Sequence, residues 1–231
     1  MSDFTVQLIT GTSKDALPVK SEALRYLGYK KNIPDNITDK LISECTSELM
    51  SVITPRCCYA FTDVIFIDEG ILDIGFGEVH SSSLYSHLQG CKKAVLFAAT
   101  VGIGADRLIA KYKRLSPAKS VVADALSSSA IESFCDTAEG IITQNIEMHC
   151  SRFSAGYGDF SLEYQRQFIS VLDVSRKIGV ALSDSLLMTP TKSVTAVIGI
   201  GANNRTCGSK CALCNNATCL YRDRNEGNEG F

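Results

Sequence analysis

Four cysteines crowd the last 25 residues of the chain: Cys207, Cys211, Cys214 and Cys219, spaced C-x3-C-x2-C-x4-C. Four thiolates in so short and polar a segment can wrap one metal centre, and soft sulfur ligands select zinc or an iron–sulfur cluster. Paired C-x2-C knuckles favour zinc, and only Cys211 and Cys214 form such a pair here. Free thiols or a regulatory disulfide are the other readings. A second chemical cluster lies upstream, where Arg152, Gly156 and Tyr157 fall within six residues. Arginine offers a planar fork to a carboxylate. Glycine lets the backbone approach a ligand, and a tyrosine face holds a cation. Such a loop suits an amphoteric ligand with a carboxylate and a positive centre. In the alternative reading, Arg152 caps the preceding helix and Gly-Tyr-Gly is only a turn. No nucleophile–base constellation is found.

These residues must be held by a folded domain, and the composition allows one. Of the 231 residues, 45% are hydrophobic and 21% charged, enough for a sizeable core. The net charge of −2 argues against nucleic-acid binding through bulk electrostatics. The start, MSDFTVQLITG, has no basic and apolar leader, and the apolar run Ala94–Ala105 is far too short to span a membrane. A soluble, cytoplasmic protein is expected, with no membrane or nucleic-acid partner. Cys45, Cys57, Cys58, Cys91, Cys135 and Cys150 are scattered and read as small buried hydrophobes.

Periodicity predicts a short helix over Ser21–Tyr29 and an amphipathic one through Ile37, Leu41, Cys45, Leu49 and Val52. Val64–Ile67 and Ile71–Ile74 flank a glycine turn and read as a hairpin. Ser83–Leu88 is a short helix, Ala94–Val101 a buried strand and Ala105–Leu115 a helix. Ser116-Pro117 starts a helix of about 30 residues with Leu126, Ala130, Phe134, Ala138 and Ile141 on one face. The Gly-rich loop 152–160 leads into a helix from Ser161, with Phe168, Ile169 and Leu172 inward and Gly179 just past its end. Val194–Ile200 is a strand. Hairpin and helices interleave without a βαβ repeat, so the expected class is α+β, a mixed or antiparallel sheet covered by helices. GIGAD at 102–106 lacks the third glycine of a dinucleotide fingerprint. Residues 1–203 are expected to form the folded domain, and 204–231 a cysteine-rich metal-binding tail.

Arg152-Phe-Ser-Ala-Gly156-Tyr157-Gly158 resembles the Arg-x-x-x-Gly-Tyr loop of the activation domain of cobalamin-dependent methionine synthase. Met188-Thr-Pro190-Thr-Lys-Ser193-Val194 resembles that domain's Met-x-Pro-x-x-Ser-Val turn and strand, at the family's spacing. Ala130-Ile131-Glu132-Ser133-Phe134 is similar to its long-helix segment, and LRYLGY looks like the free-standing, single-domain relatives. The resemblance covers roughly residues 118–200. It implies an S-adenosylmethionine site that supports reductive methylation of cobalamin. Arg152 would hold the methionyl carboxylate, and Gly156 and Tyr157 would line the cofactor. Glu132 would take the ammonium or stand near the sulfonium. Read by residue pattern alone, Glu132 belongs with Asp136 and Glu139 to a solvated acidic face.

Two departures bear on partners. The family's Tyr-containing stretch beyond the Ser-Val strand is replaced by GIGANNRTCGSKC. None of His80, His87 and His149 has an Asp two residues before it, so the family's Asp-x-His-x-x-Gly cobalamin motif is absent. The resemblance therefore implies that cobalamin arrives on a partner, a cobalamin-dependent methionine synthase or another corrinoid protein. Flavodoxin or ferredoxin would be the electron donor, or a cluster in the tail. The first three tail cysteines also match the spacing of radical S-adenosylmethionine enzymes, but those place the motif early with a barrel after it. An iron–sulfur electron carrier or redox sensor, or a zinc-stabilised adaptor, on the same fold are the alternative functions.

Overall fold

The computed structural model describes residues 5–29 and 33–201. Along the chain run β1 (Gln7–Thr10), α1 (Lys20–Tyr26), α2 (Asn36–Val52), β2 (Arg56–Asp63), β3 (Ile65–Asp68), β4 (Ile71–Asp73), β5 (Glu78–His80) and α3 (Ser82–Leu88). Then follow β6 (Lys93–Thr100), α4 (Ile103–Leu115), α5 (Pro117–Thr143), α6 (Gln165–Val171), α7 (Val174–Ile178), β7 (Ala181–Leu182), β8 (Met188–Thr189) and β9 (Ser193–Ile200). The main sheet has the order β1-β2-β6-β9, with every neighbouring pair antiparallel. A smaller antiparallel sheet, β3-β4-β5, stands beside it. The fold is α+β, antiparallel sheets with helices, as expected from the sequence.

Strand β6 shows why two layers of helix are needed. Its residues from Ala94 to Thr100 are all buried, so both faces of the sheet must be covered. Val95, Phe97 and Ala99 point to one face, against Leu126, Ala130 and Phe134 of α5 and Leu49 of α2. Ala94, Leu96 and Ala98 point to the other, against Leu88 of α3, Phe168 of α6 and Ile178 of α7. The two-residue period of the strand thus divides one core into two. The six cysteines at 45, 57, 58, 91, 135 and 150 are buried, and Cys91 and Cys150 face each other with 3.8 Å between sulfurs.

Several expectations are adjusted. The long helix has 27 residues, and its buried row steps from Ala138 to Ile142, while Ile141 is 46% exposed. The helix expected from Ser161 is broken at Asp173, whose φ of 50° no helix interior allows, so α6 and α7 are separate. The GIGAD segment is a packing corner. A side chain on Gly102 would strike Thr54, and one on Gly104 would strike the Val52 carbonyl at the end of α2. Among the described residues no helix is long and apolar enough to cross a membrane.

Candidate functional site

The segment from His149 to Phe153 runs as an irregular strand along β9. Cys150 N–H donates to the Gly199 carbonyl (2.8 Å), and Phe153 and Val197 exchange N–H···O bonds of 2.9 and 2.8 Å. Successive side chains of an extended segment point oppositely. Phe153 accordingly enters the second core, with the His87 ring tilted against it at 4.8 Å, while Arg152 turns toward α5. His87 Nε2–H donates to the Ser151 carbonyl (2.9 Å), and burial pushes the imidazole below its usual value, which keeps it neutral.

Arg152 is 5% exposed and meets three carboxylates of α5. Its Nη2 donates to Asp136 Oδ1 at 2.6 Å and lies 3.5 Å from Glu132 Oε2, and its Nη1 is hydrogen-bonded to Glu139. Positions 132, 136 and 139 are four and three apart, so one helix face carries all three acids. His149 Nε2 stands 3.6 Å from Glu139. Only Asp136 is largely solvated, at 71% side-chain exposure against 32% for Glu132 and 15% for Glu139. The acidic face is therefore a receptor for a buried cation, and Arg152 does more than cap a helix.

Gly156 has φ of 96°, the left-handed region that glycine adopts freely. Its N–H donates to the Phe160 carbonyl (2.6 Å), Tyr157 N–H to Ser154 (3.1 Å), and Phe160 N–H back to Tyr157 (3.0 Å). The loop thus closes on itself. The Gly156 and Tyr157 amides serve the turn, and Tyr157 offers its ring, 46% exposed and edge-on to Phe153 at 5.9 Å. Sequence reasoning missed a neighbour on α1. Tyr26 is half-buried and close enough to Glu132 and Tyr157 for their charges to act on its phenol. The segment LRYLGY carries the helix and the likeness to free-standing relatives, and neither singles out Tyr26.

Asp159 fastens the loop to α3. Ser81 Oγ–H donates to its Oδ1 (2.6 Å), and the Ser82 and Ser83 N–H groups donate to Oδ2 and Oδ1 (both 2.9 Å). Ser81 Oγ in turn accepts from Leu84 N–H, capping α3. Slight burial pushes this carboxyl up, but the Ser81 and Ser83 hydrogen bonds outweigh it and hold the value at about 2, against 3.8 ordinarily. A depressed folded value means stability that is full above the unfolded value and lost as pH falls toward the folded one. Asp159→Asn is therefore expected to flatten the loss of stability between pH 4 and pH 2, measured by urea unfolding. Because the side chain is solvated, the effect should not exceed about 1 kcal/mol.

The Met188–Val194 segment, with a cis Thr189–Pro190 bond, is tied to α4 through Asp106, which accepts from Thr191 N–H at 2.8 Å. Ser193 Oγ–H donates to the Pro190 carbonyl (2.7 Å). These residues shape the entry to β9 and do not join the Arg152 cluster. Cys207, Cys211, Cys214 and Cys219 lie outside the described residues, among which no group of three or more His, Cys, Asp or Glu side chains is placed to hold a metal ion.

No family model and no curated protein matches the sequence. Among solved structures, the chain is similar to a crystal structure of the MetH reactivation domain bound to AdoHcy, with a TM-score of 0.64 and 13% identity over 88% of this chain and 81% of that one. That likeness shows the fold: this chain has the α+β architecture of a MetH reactivation domain.

Proposed function

We propose that the protein binds S-adenosylmethionine and supports reductive methylation of cobalamin carried by a cobalamin-dependent methionine synthase or another corrinoid protein. The observation that carries this reading is Arg152, a buried guanidinium ringed by Glu132, Asp136 and Glu139. It occurs on a fold whose solved relative is bound to AdoHcy. A methionyl group has a carboxylate and an ammonium, and this cluster holds the complement of each. The ligand carboxylate takes Arg152 from Asp136, the most solvated of its partners, and the ammonium takes a released acid. Charge is conserved in the exchange, and no buried ion is left bare.

Reduction of cob(II)alamin by one electron gives a cobalt nucleophile. It forms the Co–C bond as the C–S bond of the sulfonium breaks, and S-adenosylhomocysteine leaves. No proton moves, so no general base is required. The protein's work is positioning and fixed charge. Cys207, Cys211, Cys214 and Cys219 are proposed to ligate an iron–sulfur cluster, with zinc as the competing occupant. Such a cluster would supply a one-electron donor, and without it an external flavodoxin or ferredoxin would supply the electron.

Calorimetry of the whole chain with S-adenosylmethionine should show one site, and absence of binding would sink this reading. A mixture with cob(II)alamin-loaded methionine synthase, a reductant and S-adenosylmethionine should yield methylcobalamin, and free cobalamin should not replace the loaded partner. The same anaerobic preparation should contain iron and sulfide. One zinc and no sulfide would make the tail a structural clip.

A further inference from the structure

The outer edge of a sheet carries unpaired N–H and C=O groups that invite another chain, and charge, proline or a covering loop usually guards it. In the main sheet, β9 is screened by the 149–153 segment, which bridges to it at Ile200 and Val197. In the smaller sheet, the β5 edge carries Glu78 and His80, both exposed. Strand β3, at the opposite edge, has no such guard. Among the described residues it pairs with β4 alone, and all four of its residues are exposed. Three of them are large and apolar: Ile65 is 57% exposed, Phe66 36% and Ile67 49%. The Phe66 ring meets Tyr85 of α3 edge-on at 5.0 Å, which holds it at the surface. Pairing with β4 slips between Phe66 and Asp68, and Ile67 stays exposed at that bulge. Single exposed apolar residues are ordinary, but a consecutive run on an open edge marks a contact surface.

The charges at the two ends of this strand have opposite signs. At its start, Val64 N–H donates to the Lys92 carbonyl (3.0 Å), which brings Lys92 and Lys93 beside it, both exposed. Asp63 is the cross-strand partner of Lys93, so Lys92 is the charge left in excess there. At its far end stand Asp68 and Glu69, also exposed. An apolar strand that is positive at one end and negative at the other is complementary to itself when reversed.

We propose that β3 is a self-association edge: two copies of this chain pair their β3 strands antiparallel about a twofold axis. The three strands of each small sheet then join into one continuous sheet. Lys92 of each copy faces Asp68 and Glu69 of the other, and Ile65, Phe66 and Ile67 cover their counterparts. A parallel pairing would set like charges together at both ends. The contact is small beside a standard interface of about 1,600 Å², so the dimer is weak, assembling above about 10 µM. It needs no S-adenosylmethionine, so its test is independent of the functional reading above.

Sedimentation equilibrium of the whole chain, in reducing buffer and from about 5 to 500 µM, should show a monomer–dimer equilibrium. Ile67→Lys and Ile65→Lys should each weaken it at least about tenfold, since each buries a charge at the pairing edge. Both side chains are exposed in the monomer, so thermal unfolding should be unchanged, and if one variant fails to fold the other decides. Lys92→Glu and Glu69→Lys should each weaken association about three- to ten-fold, and the double variant should recover the parent value, because the reversed charges again face their opposites. A parent that stays monomeric throughout the range would overturn the proposal; this is the result if the chain's own termini or a different protein occupy the edge. So would a dimer indifferent to both lysine variants, or a double charge reversal no better than either single one.

Discussion

Arg152→Ala should cost the protein both its ligand and a large part of its stability. Removing the guanidinium leaves Glu139, whose side chain is 15% exposed, without its principal partner, and strands Glu132 and Asp136 as like charges on the same helix face. Breaking a buried ion pair from one side costs about 3–5 kcal/mol. Asp136 is well solvated, so the expected loss lies near the lower end, about 3 kcal/mol, read as a shift in the urea midpoint at constant slope. In the fraction that folds, affinity for S-adenosylmethionine should drop about 30- to 1000-fold, the value of about 2–4 kcal/mol in charge-assisted contacts. Arg152→Lys separates the two losses. It keeps a positive charge near Glu139 and should retain most of the stability, but a point charge cannot reproduce the planar fork, so binding should stay weak. Native stability and unaltered affinity in Arg152→Ala would remove this residue from both roles.

Gly104→Ala should be the second most damaging change, and Gly140→Ala its mirror image. At Gly104, near the start of α4, a β-carbon would overlap the carbonyl oxygen of Val52 and come within 2.8 Å of its carbonyl carbon. Backbone cannot swing aside as a flexible side chain can, so α4 must lift from the end of α2. Asp106 moves with it and loosens its hold on Thr191 at the entry to β9. Overpacking of this kind costs about 1–3 kcal/mol, and the rigid obstacle puts the expectation at the upper end. Gly140, inside α5, has no atom within 4 Å of where a β-carbon would stand. There the same methyl only restrains the unfolded chain and removes a helix-weakening glycine. Stability should rise by about 0.5–1 kcal/mol. Thermal unfolding of the two variants side by side checks both signs.

Local pattern made the helices and the central strand legible: α2, α4, α5 and the strands β6 and β9 lie within a residue or two of where periodicity and length put them. Strand β2 was not legible. Cys57 to Ala60 are buried on both faces, so the run has no alternation, and its pairing partners are distant in sequence, Gln7–Thr10 on one side and Lys93–Thr100 on the other. The break at Asp173 was hidden because the apolar spacing on either side of it continues. The site divides in the same way. Arg152, Gly156 and Tyr157 were found through a loop motif, and the amide hydrogen bonds that close that loop could not be read from it. Glu132, Asp136 and Glu139 have the spacing of a solvated face. Only the arrival of a buried cation from a segment 13 to 20 residues onward shows otherwise. Tyr26 and Asp159 were not singled out, since their partners are on other elements.

The register of the main sheet also bears on how the protein is made. Lys93 pairs with Ile200 and Thr100 with Ser193, so strand β6 waits for roughly another hundred residues of synthesis before its last edge is covered. At ribosomal elongation speeds of about 5–20 residues per second, that interval is on the order of 5–20 seconds. Throughout it the nascent chain exposes Ala94-Val-Leu-Phe-Ala-Ala99, an uncharged β-prone run that other chains can pair with. Vectorial synthesis therefore favours early shelter from the elements already emerged, β2 on one edge and α2 on one face. Yield in cells should depend more on the rate of translation across residues 100–193 than on the equilibrium stability of the finished fold.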